Sequence, residues 1–237
     1  MKRQEEDDVV EVSELYSTAL PWPAPWSVEG VIEALEPLTL KSRQERMQEV
    51  IAQRLASVTV VMDEPHDPHN GAAIVRSAEA FGVQQIHVVP QAEDSFFVST
   101  GVARGTERWV DVIVHASPLE SIESLREAGF TLVATHPEGE LLPEDLVSIP
   151  KLALVLGNEH EGIGEVLMRA ADRSVRVPMR GFVESLNVSV SAAVLLAAAT
   201  RDRPGDLPAD DQRRLYARGL FRSVHRAGEI LANLQPR

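Results

Sequence analysis

Short runs of consecutive apolar residues alternate along this chain with stretches of helical period. The runs at 58–62 (VTVVM), 86–89, 110–114, 130–135 and 152–156 (LALVL) each fit a strand buried on both faces, and a further short strand is expected at 175–177. The helical pattern begins at Ser42, which can cap, with Glu45 three residues on and Met47, Val50, Ile51 and Leu55 on one face. A second helix shows its core face through Ile74, Ala78 and Phe81, with Asn70 as its expected N-cap and Gly82 as its end. A third is expected over 119–128, and another follows the glycine-rich turn after 156. From Leu186 a helix runs apolar nearly all round, through Val188, Val190, Ala192, Ala193, Val194, Leu195, Leu196 and Ala197. Such a helix is buried, either in the core or against a second copy of the chain. Strand and helix alternate from 58 to 203, which predicts an α/β fold with a largely parallel sheet flanked by helices.

The flanks read differently. Residues 1–40 form an acidic, Pro/Trp-rich N-terminal tail in which the alternating prolines of LPWPAPWS deny a helix, and residues 1–28 are expected to be poorly ordered. Trp22 and Trp26 are read as stiffening a linker rather than docking on the body. The polar segment 91–108, with Gly101 and Gly105, is long enough for a mobile loop carrying a short helix. Residues 41–203 make the main domain. Residues 204–208 (PGDLP) are a linker into one amphipathic helix over 210–234, along which Arg213, Arg214, Arg218, Arg222 and Arg226 form a basic stripe.

Composition narrows the function classes. Among 237 residues there is no cysteine, which excludes disulfides and Cys-based metal sites and fits a reducing compartment. No run approaches the roughly 18 apolar residues of a membrane span, so a soluble, cytoplasmic protein is expected. The net charge of -13 argues against indiscriminate nucleic-acid binding. The charge is uneven, however: residues 1–36 hold 9 acidic and 2 basic side chains, while 201–237 hold 8 basic and 5 acidic. RNA binding over a limited basic surface stays open.

The candidate chemistry gathers at the carboxyl ends of the expected strands. The turn from Gly157 to Gly164 follows strand 152–156 at once. Gly157 and Gly162 have Walker spacing, but Ile163 stands where a phosphate-binding lysine is required, and Gly162-Ile163-Gly164 lacks the third glycine of a dinucleotide fingerprint. What remains is a turn that exposes backbone groups to a close ligand; an adenosine with a thioether tail suits it, as do many other ligands. Thr135-His136-Pro137 ends another strand and makes a third pocket edge. His66, His69 and His160 form no closed metal-ligand set, since two prolines surround the first pair, and no metal is expected. Ser185 lies in no G-x-S-x-G elbow and is not an esterase nucleophile. Asn187, Ser189 and Ser191 cluster at the start of the apolar helix, where Ser185 is the expected cap and backbone donors favour an anionic or carbonyl group. Arg76 either pairs with Glu79 at i, i+3 or faces the site from the helix after the first strand, and its placement favours the second. Arg43, Arg46 and Arg54 are read as surface residues.

Three motifs then occur in register. They are Pro68-His69-Asn70-Gly71-Ala72-Ala73-Ile74-Val75-Arg76-Ser77-Ala78, Leu156-Gly157-Asn158-Glu159 through Gly162-Ile163, and Val177-Pro178-Met179 through Ser185-Leu186-Asn187-Val188-Ser189-Val190. Together they resemble the SPOUT superfamily of RNA ribose 2′-O-methyltransferases, and within it the tRNA (guanosine-2′-O-)-methyltransferase (TrmH) family, over roughly 42–231. The resemblance implies a deep trefoil knot at about 152–201, S-adenosylmethionine (S-adenosyl-L-methionine) bound bent within it, and a homodimer with composite active sites. By position in the motifs, Thr135, Gly157, Val177, Met179 and Leu186 would line the cofactor pocket. Asn70, Arg76, Glu159, Ser185 and Asn187 would form the catalytic cluster. His69, Arg201 and Arg203 would contact RNA, with the arginine-bearing terminal helices as accessory tRNA grips and neither DNA nor membrane as a partner. The implied reaction is methylation of the ribose 2′-hydroxyl of the D-loop guanosine at position eighteen of tRNA. The alternatives are another tRNA or rRNA nucleotide, or a catalytically silent knotted RNA-binding module. One departure stands out: Asp67 occupies a position where close relatives carry lysine, which removes a phosphate contact.

Overall fold

The computed structural model describes residues 9–11, 20–90, 97–99, 109–158 and 160–234. Six parallel strands form the central sheet: β2 (Leu55–Asp63), β3 (Val83–Val89), β5 (Asp111–Val114), β6 (Thr131–Thr135), β7 (Leu152–Leu156) and β8 (Arg173–Val175). Their spatial order is β5-β3-β2-β7-β6-β8. A separate antiparallel pair joins β1 (Val9–Glu11) to β4 (Phe97–Ser99). The rest of the segment expected to be a mobile loop over 91–108 lies outside the described residues, as does most of the first 19 residues of the tail.

Alternation along the central strands explains why their runs at 60–62 and 152–156 are apolar without interruption. Val60, Met62, Leu152, Leu154 and Leu156 point to one face, where α3 (Pro68–Ala80) and α6 (Val188–Ala199) pack through Ile74, Ala78, Leu195 and Leu196. Val61, Ala153 and Val155 point to the other, against Ile122 and Leu125 of α4 (Pro118–Glu127) and Leu167 of α5 (Glu165–Ala170). With helices on both faces, no strand position can be polar cheaply. β2, β3 and β6 match the expected runs with extended or trimmed ends. The strand expected at 175–177 is instead β8, at 173–175, because Val177 and the residues after it leave the sheet to line a cavity.

A third apolar cluster corrects the reading of the N-terminal flank. Trp22 and Trp26 are 5% and 8% exposed and pack with Val31, Leu35, Leu215, Leu220 and Leu231. The elements concerned are α1 (Val28–Leu35), α2 (Lys41–Ile51), α7 (Ala209–Ser223) and α8 (Ala227–Asn233). Trp22 Nε1 donates to the Trp26 carbonyl at 3.0 Å, its ring meets Phe221 at 6.1 Å, and the Tyr216 hydroxyl donates to Glu36 at 2.7 Å. The tryptophans therefore dock on the body rather than stiffen a linker. The single helix expected over 210–234 is two, since Arg226 takes a left-handed conformation at φ 55° and turns the chain between them. α2 begins at Lys41 with Leu40 at its cap position, so Ser42 lies inside the first turn and does not cap it.

Arg54 is the largest departure from the surface reading of the arginines. It is 2% exposed, in the first turn after α2, and its guanidinium donates to Gln84 Oε1 at 2.9 Å and to the carbonyls of Val83 and Glu79 at 2.8 and 3.2 Å. Glu79 Oε1 lies 3.6 Å away. Burial lowers the Arg54 pKa to about 10, opposed by Glu79 and Asp111. Arg54 ties the helical layer to the sheet.

Candidate active site

The sheet changes winding direction between β2 and β7. The chain leaves β2 toward β3 and β5 on one side, whereas it leaves β7 toward β8 on the other, passing beyond β6, the strand that precedes β7 in sequence. In an open parallel sheet the crevice at the carboxyl ends of such a pair is where ligands bind. Here those ends are Met62-Asp63 and Leu156-Gly157.

A cavity of about 440 Å³ opens beside them. Its walls come from Thr135 at the end of β6, Leu156 and Gly157 at the end of β7, Val177 and Met179 beyond β8, and Ser185, Leu186, Asn187 and Val188 at the start of α6. All five residues expected to line a cofactor pocket are therefore brought together. The volume falls in the range of small-molecule sites, and the mixture of apolar side chains with exposed backbone groups suits an amphipathic ligand.

The turn after β7 is closed on itself. A Cβ on Gly157 would lie 2.1 Å from the Gly162 carbonyl carbon, so only glycine allows the two ends to meet. The Asn158 amide donates to the Gly162 carbonyl at 3.0 Å, and Asn158 Oδ1 accepts from the amides of His160 and Glu161 at 3.0 and 2.7 Å. Gly162 supplies the positive φ of 74°. A further bond reaches the turn from β2: the Gly164 amide donates to Asp63 Oδ2 at 2.7 Å. Asp63 is 4% exposed, and burial raises its pKa against the opposing effect of that hydrogen bond.

The start of α6 meets the start of α3. Asn187, and not Ser185, is the N-cap of α6: its Oδ1 accepts from the Ser189 amide at 2.8 Å and from the Ser189 hydroxyl at 2.6 Å. Its Nδ2 is then free to donate to Asn70 Oδ1 at 3.1 Å. Asn70 in turn is not the cap of α3. Asp67 takes that place, accepting from the His69 amide at 2.8 Å with Pro68 opening the helix. The acidic residue at the position of the family's lysine thus has a structural task.

Of the expected catalytic cluster, Asn70 and Asn187 are in contact and Ser185 lines the cavity. Arg76 is exposed on α3 and does not pair with Glu79, which faces Arg54 instead; it is not among the residues lining the cavity. Glu159 lies outside the described residues. His69 and Arg201 are exposed. Arg203 is half-buried and engaged within the fold: its guanidinium donates to the carbonyls of Ala199, Pro150, Leu146 and Ile149 at 2.7, 3.0, 3.1 and 2.5 Å, closing the end of the 3-10 helix Pro143–Ser148. The basic stripe is likewise engaged. Arg213 pairs with Glu29, Arg214 with Asp211, Arg218 with Asp111 and Arg226 with Glu229, and Arg222 also has a partner.

His66 and His160, on the loops after β2 and β7, meet at 5.5 Å between ring centroids with their planes tilted by 54°. No group of three or more potential metal-ligating side chains occurs among the described residues. Sequence reading missed Asp63 and the side-chain role of Asn158. The signal for both is position: a polar residue that ends an apolar strand at a winding switch faces the crevice.

Comparison with known proteins places this geometry. Residues 57–197 match the model of the SpoU rRNA Methylase family. A tRNA (guanosine(18)-2'-O)-methyltransferase of Thermus thermophilus is 37% identical over 165 residues, which are 69% of this chain and 84% of that enzyme. The crystal structure of the Aquifex aeolicus TrmH/SpoU tRNA modifying enzyme superposes with a TM-score of 0.68 at 26% identity, covering 78% of this chain and 98% of that one. An AdoMet-bound rRNA methyltransferase from Sinorhizobium meliloti superposes with a TM-score of 0.55 at 30% identity, over 65% of this chain and 59% of that one. The chain belongs to the SpoU rRNA Methylase family.

Proposed function

We propose that this protein transfers a methyl group from S-adenosylmethionine to the ribose 2′-hydroxyl of the D-loop guanosine at position eighteen of tRNA. The observation that carries the reading is the contact between Asn70 and Asn187 at the mouth of a cavity walled by Thr135, Gly157, Val177, Met179 and Leu186. The activity of the relatives supplies the nucleotide.

The residues present fit the cofactor. The Gly157 turn offers backbone groups with no side chain in the way, and Val177, Leu186 and Ile163 offer apolar walls. When bound, the sulfonium supplies an activated methyl group for in-line displacement. The chain's own work is to hold the ribose and to polarise its hydroxyl. Asn70 and Asn187, each locked by the other, orient polar groups toward the ribose. Arg76 is a poor literal base, because a guanidinium keeps its proton at physiological pH. It clamps the adjacent phosphate in a bidentate fashion and polarises the hydroxyl. Ser185 completes the cluster on the cofactor side, the reading adds Glu159 from its place in the motif, and His69 and Arg201 bind RNA.

The reading includes a trefoil knot at about 152–201 and a homodimer, in which the exposed Val190 and Val194 of the otherwise apolar α6 face the second copy. It also includes a cytoplasmic location, where tRNA is modified. No helix among the described residues is long and apolar enough to cross a membrane.

The test is methyl transfer from labelled S-adenosylmethionine to unmodified tRNA transcripts, with and without the D-loop guanosine. Label that disappears when the guanosine is replaced is the expected result. Label that persists moves the target nucleotide. No label on tRNA or rRNA, with cofactor bound, overturns the enzyme in favour of a silent binding module.

A further inference from the structure

The turn that walls the cofactor cavity is rigid within itself, and this raises the question of what fixes it to the rest of the molecule. Its internal bonds, Asn158 to Gly162 and Asn158 Oδ1 to the amides of His160 and Glu161, tie these four residues into one unit. One end of the turn continues from β7. The other end, at Gly164, opens α5, a helix of only 6 residues whose cap position has no side-chain partner of its own. At that end the Gly164 amide is taken up by the carboxylate of Asp63, 101 residues away in sequence.

Asp63 is the last residue of β2 and is almost wholly buried. A buried carboxylate is retained in a sheet only where it is hydrogen-bonded, and a charge-assisted bond from a backbone amide is among the stronger ones. Asp63 also lines a small cavity together with Asn70, Gly157 and Asn158. It therefore stands between the helix that carries Asn70 and Arg76 and the turn that carries Gly157.

From this geometry we infer that Asp63 is a positioning residue for methyl transfer: by holding the Gly164 amide it fixes the cofactor turn in register with the β2 strand end and the Asn70 helix. The inference rests on the cofactor reading above and deepens it. Asp63 touches neither substrate nor cofactor in this role; it acts through the turn. Its removal leaves the Gly164 amide without its acceptor and lets the turn pivot about β7, so the backbone groups at Gly157 no longer meet the ligand together.

The experiment compares wild type, Asp63→Asn and Asp63→Ala for S-adenosylmethionine affinity by calorimetry, for kcat at saturating cofactor, and for thermal stability. Asp63→Ala is expected to weaken cofactor binding by about tenfold or more, the effect of losing one charge-assisted bond. Its kcat at saturating cofactor is expected to fall less than its affinity, because bound cofactor itself helps to hold the turn in register. Asp63→Asn keeps an acceptor oxygen and is expected to restore most of the affinity. A folded Asp63→Ala that binds cofactor as tightly as wild type, or an Asp63→Asn no better than Asp63→Ala, overturns the assignment. If Asp63→Ala does not fold, hydrogen exchange on the wild type decides. The Gly164 amide must exchange more slowly than exposed loop amides and slow further on cofactor addition, and free exchange overturns the latch. A wild type that binds no S-adenosylmethionine sinks the cofactor reading first, whereas equal binding by wild type and Asp63→Ala sinks the latch alone.

Discussion

Asn187 Nδ2 donates to Asn70 Oδ1 at 3.1 Å, and this single bond joins the N-termini of α6 and α3, two helices that lie 117 residues apart in sequence. Both residues begin helices on the same face of the sheet, so each fixes the other's amide in one orientation. Asn187 does a second job as the cap of α6. The two jobs separate by substitution. Asn187→Asp keeps the oxygen that caps Ser189 and removes the amide that reaches Asn70.

We expect Asn187→Asp to retain near wild-type stability while losing methyl transfer by about 10- to 100-fold, the scale of a positioned polar group. Asn187→Ala loses the cap as well, at a cost of about 1 kcal/mol. The double variant Asn70→Ala/Asn187→Asp is expected to be little worse than Asn70→Ala alone, since the two act as a unit. Additive losses in kcat/KM would show that the bond between them does not matter to the reaction.

Asp67 sets a local conflict between folding and RNA binding. As the N-cap of α3 it accepts the His69 amide, yet its charge lies beside His69, an expected RNA contact. Asp67→Asn keeps the cap without the charge and is expected to bind tRNA more tightly with unchanged melting. Asp67→Lys removes the cap, costing about 1 kcal/mol, and adds a phosphate contact that steepens the salt dependence of binding by about one unit of slope. Equal salt slopes for wild type and Asp67→Lys would place this residue away from the RNA.

The sheet was legible in the sequence because a strand covered on both faces is mostly apolar, as LALVL at 152–156 shows. Helix starts were less legible. Several polar residues crowd each one, and which of them caps depends on geometry no pattern carries: Asn70 and Ser185 lost to Asp67 and Asn187. The cavity walls were legible through the motifs, whereas Asp63 was hidden as the polar end of an apolar run. Exposure of charge was the least legible feature. Arg54, Arg203 and Arg218 look like any other arginine until the carbonyls and carboxylates around them are placed. Trp22 and Trp26 were misread because prolines beside them argue against a helix but say nothing about docking.

Arg203 and Arg201 sit two residues apart and should respond oppositely. Arg203 closes the carbonyl end of the helix at 143–148, and burial lowers its pKa. Arg203→Ala leaves several carbonyls without their donor and is expected to destabilise the protein by about 2–4 kcal/mol. Its salt dependence of tRNA binding should match wild type. Arg201→Ala, at an exposed position, is expected to leave urea stability unchanged and to flatten the salt slope. Unchanged stability in Arg203→Ala would mean that water replaces its hydrogen bonds without cost.

His87 on β3 and His115 just beyond β5 give the protein an acid-sensitive edge away from the cavity. Their rings stack at 5.1 Å, with His87 Nδ1 2.8 Å from His115 Nε2, and both side chains are buried. Burial lowers the His87 pKa from 6.5 to about 4, with the neighbouring His115 acting in the same direction. Burial also lowers that of His115, opposed by Glu120. A group whose pKa is depressed in the folded state binds its proton more readily when unfolded. The stability it contributes is therefore complete above pH 6.5 and is lost as pH falls toward 4. For His87 the full loss is on the order of 3 kcal/mol. The urea midpoint is expected to fall between pH 7 and pH 5, before most carboxylates titrate, and His87→Leu should flatten that decline. A wild-type midpoint that holds level over this interval would mean that the pair accepts a proton in the folded state, through an opening of the β3–β5 edge.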